Sequence, residues 1–287
     1  MIPLPQSHPR FRLCILGGLL PIVGLTAVWA QPPQNAAEVE KIVRDASWNE
    51  LHSTGTPHYF RYRETEQTPK GSDVKLVVQT RDGTMVREIE KGGHSLSAAD
   101  DAAEVARLKN LVTHPDVQQQ RHRSERQESN REDELVRMLP DAFLYLDEGI
   151  VPGPSGPCYR LSFKPNPAFT PPDREGEVFH GMVGELWVDK AQLRIARIDA
   201  HLVSDVNFGW GVLGKLYRGG SLLEENADVG EKHWESTTLK LRLQGKILLV
   251  KNVDFSTSQT FAGFQPVASD TTYQQAVQML LSDTATR

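Results

Sequence analysis

Gly209, Gly211 and Gly214 in the stretch 207–220, NFGWGVLGKLYRGG, spell G-x-G-x-x-G directly after a strand-like run. In a dinucleotide-binding unit that spacing lets the backbone approach a pyrophosphate, and the third glycine opens a helix whose N-terminus faces the phosphates. Here only Lys215 to Arg218 separate Gly214 from Gly219 and Gly220, too few residues for a helix. The stretch is therefore read as a glycine-punctuated hairpin that bends sharply or lets another backbone come close. Trp210 and Tyr217 stand on it, and they are candidates for an entrance or a contact surface.

Other residues with chemical potential fail to form a constellation. His52 and His58 flank a turn, His114 and His122 flank the start of a polar run, and the remaining histidines are scattered. None forms H-x-x-x-H on a helix or joins cysteines at ligand spacing, so no metal and no cofactor is expected. Ser155 lies in the turn PGPSGP, where a strand-to-helix elbow is missing. Glu224-Glu225 and Glu132-Asp133-Glu134 are adjacent acids, whereas a glycosidase needs two carboxylates held across a bound sugar. No catalytic residue is assigned, and the chain is read as a non-enzyme.

The aromatic residues point instead to apolar contact. Trp48, Trp187, Trp210 and Trp234 are the types that line a hydrophobic ligand cavity, although Trp48 and Trp234 are expected in ordinary core packing. Trp187 lies opposite Leu186 and Val188 and alongside Val183, so it either meets helices or is exposed. Trp187, Trp210 and Tyr217 are the candidate ligand-contacting residues.

The elements that position these residues begin with a leader. Residues 1–30 hold no acid, carry Arg10 and Arg12 early, and run uncharged from Leu13 to Ala30. A basic start, an apolar middle and Val28-x-Ala30 make a signal peptide cleaved after Ala30, with a periplasmic or secreted product; the alternative is an uncleaved N-terminal membrane anchor, which Gly17, Gly18, Pro21 and Gly24 disfavour. Cys14 stands at the start of the apolar run, not at its end where a lipid-bearing cysteine belongs. With Cys14 removed, Cys158 has no disulfide partner and is read as a small buried hydrophobe. The chain carries 32 Lys and Arg against 37 Asp and Glu, which argues against a nucleic-acid partner and against charge-driven binding to anionic lipid.

Residues 36–51 place Val39, Ile42, Val43 and Ala46 at helical spacing, with Trp48 and Leu51 near the end. From about 57 to 91 the chain alternates, and Asp82-Gly83 between two apolar runs signals a hairpin. A second helix carries Ala102, Val105, Leu108 and Val112 on one stripe and is ended by Pro115. Residues 118–134, QQQRHRSERQESNREDE, hold no aliphatic and no Phe, Tyr or Trp, which predicts a solvated helix or a mobile loop. Beyond it almost everything is strand-like. In RIARIDAHL, Ala196, Ile198, Ala200 and Leu202 oppose Arg197, Asp199 and His201. In TLKLRLQG, Leu239, Leu241 and Leu243 oppose Lys240, Arg242 and Gln244. A period of two with one wet face, joined by short connections, means an antiparallel meander that must curl to hide its apolar face.

The run GELWVDKAQLRIARIDAHL, in which a strand ends Trp-Val-Asp before a polar turn and a long strand, resembles the LolA/LolB-like group of periplasmic lipoprotein carriers and outer-membrane lipoprotein-sorting proteins. WESTTLKLRLQGKILLVKNVDFS is similar to the group's late hairpin, and TFAGFQPV, with Phe261 and Phe264 before Pro266, to its aromatic-then-proline ending. The resemblance implies a mainly β (α+β) fold: a strongly curved antiparallel sheet forming an unclosed half-barrel, with a few helices on its concave side. It implies one such domain over 31–287, with 116–134 a polar insertion, and a hydrophobic ligand or lipoprotein acyl chain held between sheet and helices. The alternative is a regulatory module that docks on an envelope protein through 118–134 and the proline-rich loop 165–172.

Overall fold

The computed structural model describes residues 35–52, 58–68, 71–208, 214–247 and 251–282. The leader and its expected cleavage at Ala30 lie outside the described residues. Helix α1 (Ala36–Leu51) has the expected bounds and buries Val39, Val43 and Ala46. Trp48, expected in the core, is instead 62% exposed and stacks on His52 with ring centroids 3.7 Å apart. Two positions beyond Ala46 on a 3.6-residue helix is more than half a turn away from the buried stripe, so the side chain faces out.

Strands β1 (Tyr59–Thr68), β2 (Gly71–Val78), β3 (Met85–Lys91) and β4 (His94–Ser95) follow. The Asp82-Gly83 turn joins β2 to β3, with Gly83 at a φ of 111° that side chains rarely adopt. Helix α2 (Ala98–Thr113) starts at Ser97, whose hydroxyl accepts from the Asp100 N–H. Its buried face is Leu108 and Leu111; Ala102, expected on that stripe, is exposed because the stripe that meets β3 runs through Asp101, Glu104 and Leu108. Pro115 ends α2 and also opens helix α3 (Pro115–Ala142), at a position where its missing N–H would have had no intrahelical partner. The polar run 118–134 is thus helical.

The second half supplies strands β5 (Phe143–Pro152) and β6 (Pro157–Pro165), a 3-10 helix (Glu175–Gly181), and strands β7 (Met182–Asp189) and β8 (Ile195–Leu202). Strands β9 (Val206–Phe208), β10 (Gly214–Leu216), β11 (Ser221–Asp228), β12 (Trp234–Ile247) and β13 (Lys251–Val267) come next. Helix α4 (Tyr273–Ser282) closes the described chain. Sequence reasoning overlooked α4, although its buried Tyr273, Ala276, Val277 and Leu280 follow the helical i, i+3, i+4, i+7 spacing.

All the strands join one antiparallel sheet in the order β4-β3-β2-β1-β13-β12-β11-β8-β7-β6-β5, with β9 and β10 paired beside the lower half of β12. The sheet is not closed, and β4 and β5 end its path. Directly paired residues point to one side and chain neighbours alternate, so the register carries a single face across the sheet. That inner face runs through Val77, Tyr62, Phe261, Leu239, Glu224, Ile198, Leu186 and Leu161.

Two separate cores hold the two ends of the sheet. At the β5–β8 end, Leu161, Leu186, Val188 and Ala200 of the inner face pack with Val39 and Val43 of α1 and Met138, Leu139 and Ala142 of α3. At the β2–β3 end, Val78 and Met85 of the opposite, outer face pack with Leu108 and Leu111 of α2 and Val277 and Leu280 of α4. The helices therefore divide between the faces, α1 and α3 on the inner one and α2 and α4 on the outer one. Helix α2 also protects the edge of β3, where Arg107 Nη2 donates to the Val86 carbonyl at 2.6 Å and the Glu88 N–H donates to Glu104 Oε1 at 3.0 Å. No helix among the described residues is long and apolar enough to cross a membrane.

Candidate functional site

The middle strands contribute no buried residue to either core, although Leu222 of β11 packs against the first and Val267 of β13 against the second, and their inner face is the candidate site. Leu222 of β11, Leu239 and Leu241 of β12, Phe261 and Phe264 of β13 and Tyr62 of β1 line up there, each only half-buried. Phe255, farther along β13 on the same face, is 48% exposed. The aromatic members gather at one end: the Tyr62 ring lies 5.0 Å from Phe264 and 6.0 Å from Phe261.

Helix α3 crosses above this floor. Its 28 residues span about 42 Å, and the strands from β2 to β5 at about 4.8 Å apart span roughly 38 Å. Both ends are anchored. At the start, Gln118 Nε2 donates to the Asp82 carbonyl at 2.9 Å and the Thr84 N–H donates to Glu125 Oε2 at 3.0 Å. Gly83 is the residue that permits this, because a Cβ there would lie 2.9 Å from Gln118 Nε2. At the far end Met138, Leu139 and Ala142 enter the core with α1. Between the anchors every residue from Arg126 to Glu134 is exposed. The helix bridges the central strands and leaves a water-accessible gap above them.

Carboxylates rim the gap. Glu224 of β11 stands on the floor beside Leu239 and Ile198. Burial first, then the charges of Glu132 on α3 and Glu50 on α1, push its carboxyl up to about 7. The Glu132 carboxyl, on the exposed stretch of α3, is also raised, by partial desolvation first and then by the Glu128 and Asp133 charges. Glu235 of β12 is raised by burial against the opposing pull of Arg194 and a 3.4 Å hydrogen bond from Gln79 Nε2. Burial, then the Glu235 and Glu64 charges, push the Tyr62 phenol above its ordinary range. The cations of this face are already engaged: Arg194 Nε and Nη2 reach the two Glu50 oxygens at 3.0 and 2.6 Å. Lys75 Nζ reaches Glu64 at 2.8 Å and Glu66 at 3.3 Å.

Two cavities are found among the described residues. One of about 210 Å³ beside α4, lined by Arg61, Arg63, Leu76 and Leu280 among others, is below the size usual for ligand pockets. One of about 360 Å³ between α3 and residues 173–175 is lined by charged side chains and Asn130, with no apolar residue.

The residues singled out from the sequence are scattered by the fold. Trp187 projects from the outer face, away from the floor and from α1 and α3; its Nε1 donates to Glu185 at 3.0 Å and the Arg197 guanidinium lies 5.1 Å over its ring. Trp210 lies outside the described residues. Tyr217 follows β10; its N–H donates to the Gln244 carbonyl at 2.8 Å and Lys215 Nζ lies 5.8 Å from its ring centre. The glycine-rich stretch is a hairpin in its described parts, Asn207 pairing Lys215 and Phe208 pairing Gly214. Close backbone approach is seen at Gly245, where a Cβ would lie 2.3 Å from the Lys215 carbonyl oxygen. Among the described residues no three of His, Cys, Asp and Glu come together to hold a metal ion.

The floor was half legible, since the alternation of Leu239, Leu241 and Leu243 marks an apolar face. Glu224 was missed as an inner-face acid; the signal was its pairing with Leu239 once the register of β11 with β12 is known, whereas a bulge at Thr237 breaks the alternation before Glu235. The Trp-Val-Asp motif has a structural explanation. Asp189 is 2% exposed and its Oδ1 accepts from the N–H groups of Ala191 and Gln192 at 3.0 and 2.7 Å, building the β7–β8 turn.

No family model matches the chain, and no curated protein matches it. Two solved structures are similar. One is an outer membrane lipoprotein-sorting protein domain from Vibrio parahaemolyticus, 12% identical, with a TM-score of 0.32 over 86% of this chain and 99% of that one. The other is a DUF1329 family protein from Desulfovibrio piger, 12% identical, with a TM-score of 0.28 over 80% of this chain and 92% of that one. The first bears the name of the group that residues 184–202 resemble, and at these scores neither likeness carries anything about activity.

Proposed function

We propose that this chain is an exported binding protein or carrier for a hydrophobic moiety, an acyl chain or another lipid, taken up between α3 and the central strands. The observation that supports the reading is a strip of half-buried Leu, Phe and Tyr side chains under a helix with no aliphatic residue from Gln118 to Glu134. From Gln118 to Glu134 the helix offers no apolar side chain to the floor, whose own side chains stay only half-buried, and covering them gains about 25 cal/mol per Å². An apolar chain laid along β11–β13 supplies that cover without any covalent step. A lipoprotein acyl chain is the version that the sequence resemblance implies. Tyr217, which follows β10 beside β12, is proposed at the entrance; Trp187 is not part of this surface.

The test is binding of Nile red, a neutral fluorescent probe, to the purified protein, with native mass spectrometry for copurifying lipid. Saturable binding that weakens at least about fivefold in Leu241→Asp and is unchanged in Trp187→Phe supports the reading. Lipid-free spectra together with no probe binding refute it.

A further inference from the structure

We propose that the gap beneath α3 selects an amphiphile with a cationic head over one with an anionic head. The inference rests on the ligand-binding reading above and deepens it. Its ground is the arrangement of charge around the apolar strip. Glu224 stands on the floor between Ile198 and Leu239, and Glu235 of β12, past a bulge at Thr237, accepts from Gln79 and lies close enough to Tyr62 of the floor for its charge to act on the phenol. Glu132 lies above, close enough to Glu224 for the two charges to act on each other. It continues toward the gap the α3 stripe that Leu135 and Leu139 bury farther along, at helical spacing of three and seven residues. Each acid borders hydrocarbon, so the site offers an apolar bed and acceptor oxygens together.

Compensating cations are spent elsewhere. The Arg194 guanidinium is held by both oxygens of Glu50, which also accept the Ile195 N–H at 2.7 Å. Lys75 bridges Glu64 and Glu66, which Gln259 and Thr257 hold in place. A carboxylate or phosphate head would enter this rim against Glu224, Glu235 and Glu132, with Arg194 and Lys75 of the floor already paired. An ammonium head finds opposite charge at low local dielectric, where such contacts are strong. A tail of the same length gains the same apolar contact in either case, so the head decides.

The experiment displaces Nile red from the purified protein at pH 8 with dodecyltrimethylammonium, dodecyl maltoside and laurate, each below its micelle concentration. The expected order is the ammonium tightest and laurate weakest, separated by at least about tenfold. In the double variant Glu224→Gln, Glu235→Gln the ratio between ammonium and laurate falls to within about threefold; circular dichroism checks that it is folded. Laurate binding as well as the ammonium, or an undiminished ratio in the folded double variant, overturns the charge selection and leaves the hydrophobic-ligand reading standing. No binding of Nile red or of any of the three amphiphiles overturns both.

Discussion

Replacing Glu224 by Gln makes the protein more stable above neutral pH and leaves it unchanged in acid. A carboxyl raised from 4.5 to about 7 holds its proton more tightly in the folded state than in the unfolded chain. Stability therefore falls as pH rises from about 4.5 to 7, because over that window the unfolded chain gives up the proton first. Above 7 the whole penalty is present. The rise corresponds to about 3 kcal/mol as a ceiling; water in the gap beneath α3 screens the charge, and about 1–2 kcal/mol is the expected gain. Glutamine keeps the shape and removes the charge. The assay is urea denaturation of the parent and Glu224→Gln between pH 4 and pH 8.5, comparing midpoints at constant slope. The two curves should coincide near pH 4 and diverge steadily until just above pH 7. Parallel curves across the range, or a variant less stable at pH 8, would show that Glu224 is solvated and that the floor of the gap is not the apolar surface described.

Arg87→Ala should cost about 3–5 kcal/mol in the same denaturation assay. The Arg87 side chain is 1% exposed, with Nη1 donating to the Leu280 carbonyl at 2.7 Å and Nη2 to Asp101 at 2.9 Å, and so ties β3 to α4 and α2; a loss below about 1 kcal/mol contradicts that role. Cys158 is fully buried, and burial with the nearby Asp189 charge pushes its thiol up to about 11. Peptide mapping after iodoacetamide at pH 8 should find it unmodified in the folded protein and alkylated in urea; labelling without denaturant would show that β6 opens.

Local chemistry was readable wherever a residue's neighbours in sequence decide its state. The bounds of α1, the Asp82-Gly83 hairpin, the alternation in β8 and β12, and the failure of the 207–220 glycines to open a helix all depend on spacing and turn geometry. The sequence also showed that residues 118–134 have no face to bury. What it could not show is what lies beneath them. Whether Trp187 faces the helices or solvent depends on the register of β7 with β6 and β8, and one strand's alternation has no sign until the sheet is assembled. The placement of α2 and α4 on the outer face, and of Glu224 opposite Glu132, follows from pairings between residues many tens of positions apart. A polar helix became the roof of a gap because its two ends are anchored at opposite ends of the sheet, a matter of span and not of composition. The sequence by itself thus determined α1, α2, the main strands and turns and which faces are apolar; only the tertiary structure decided which apolar face was left uncovered, because burial is a property of what packs against a residue.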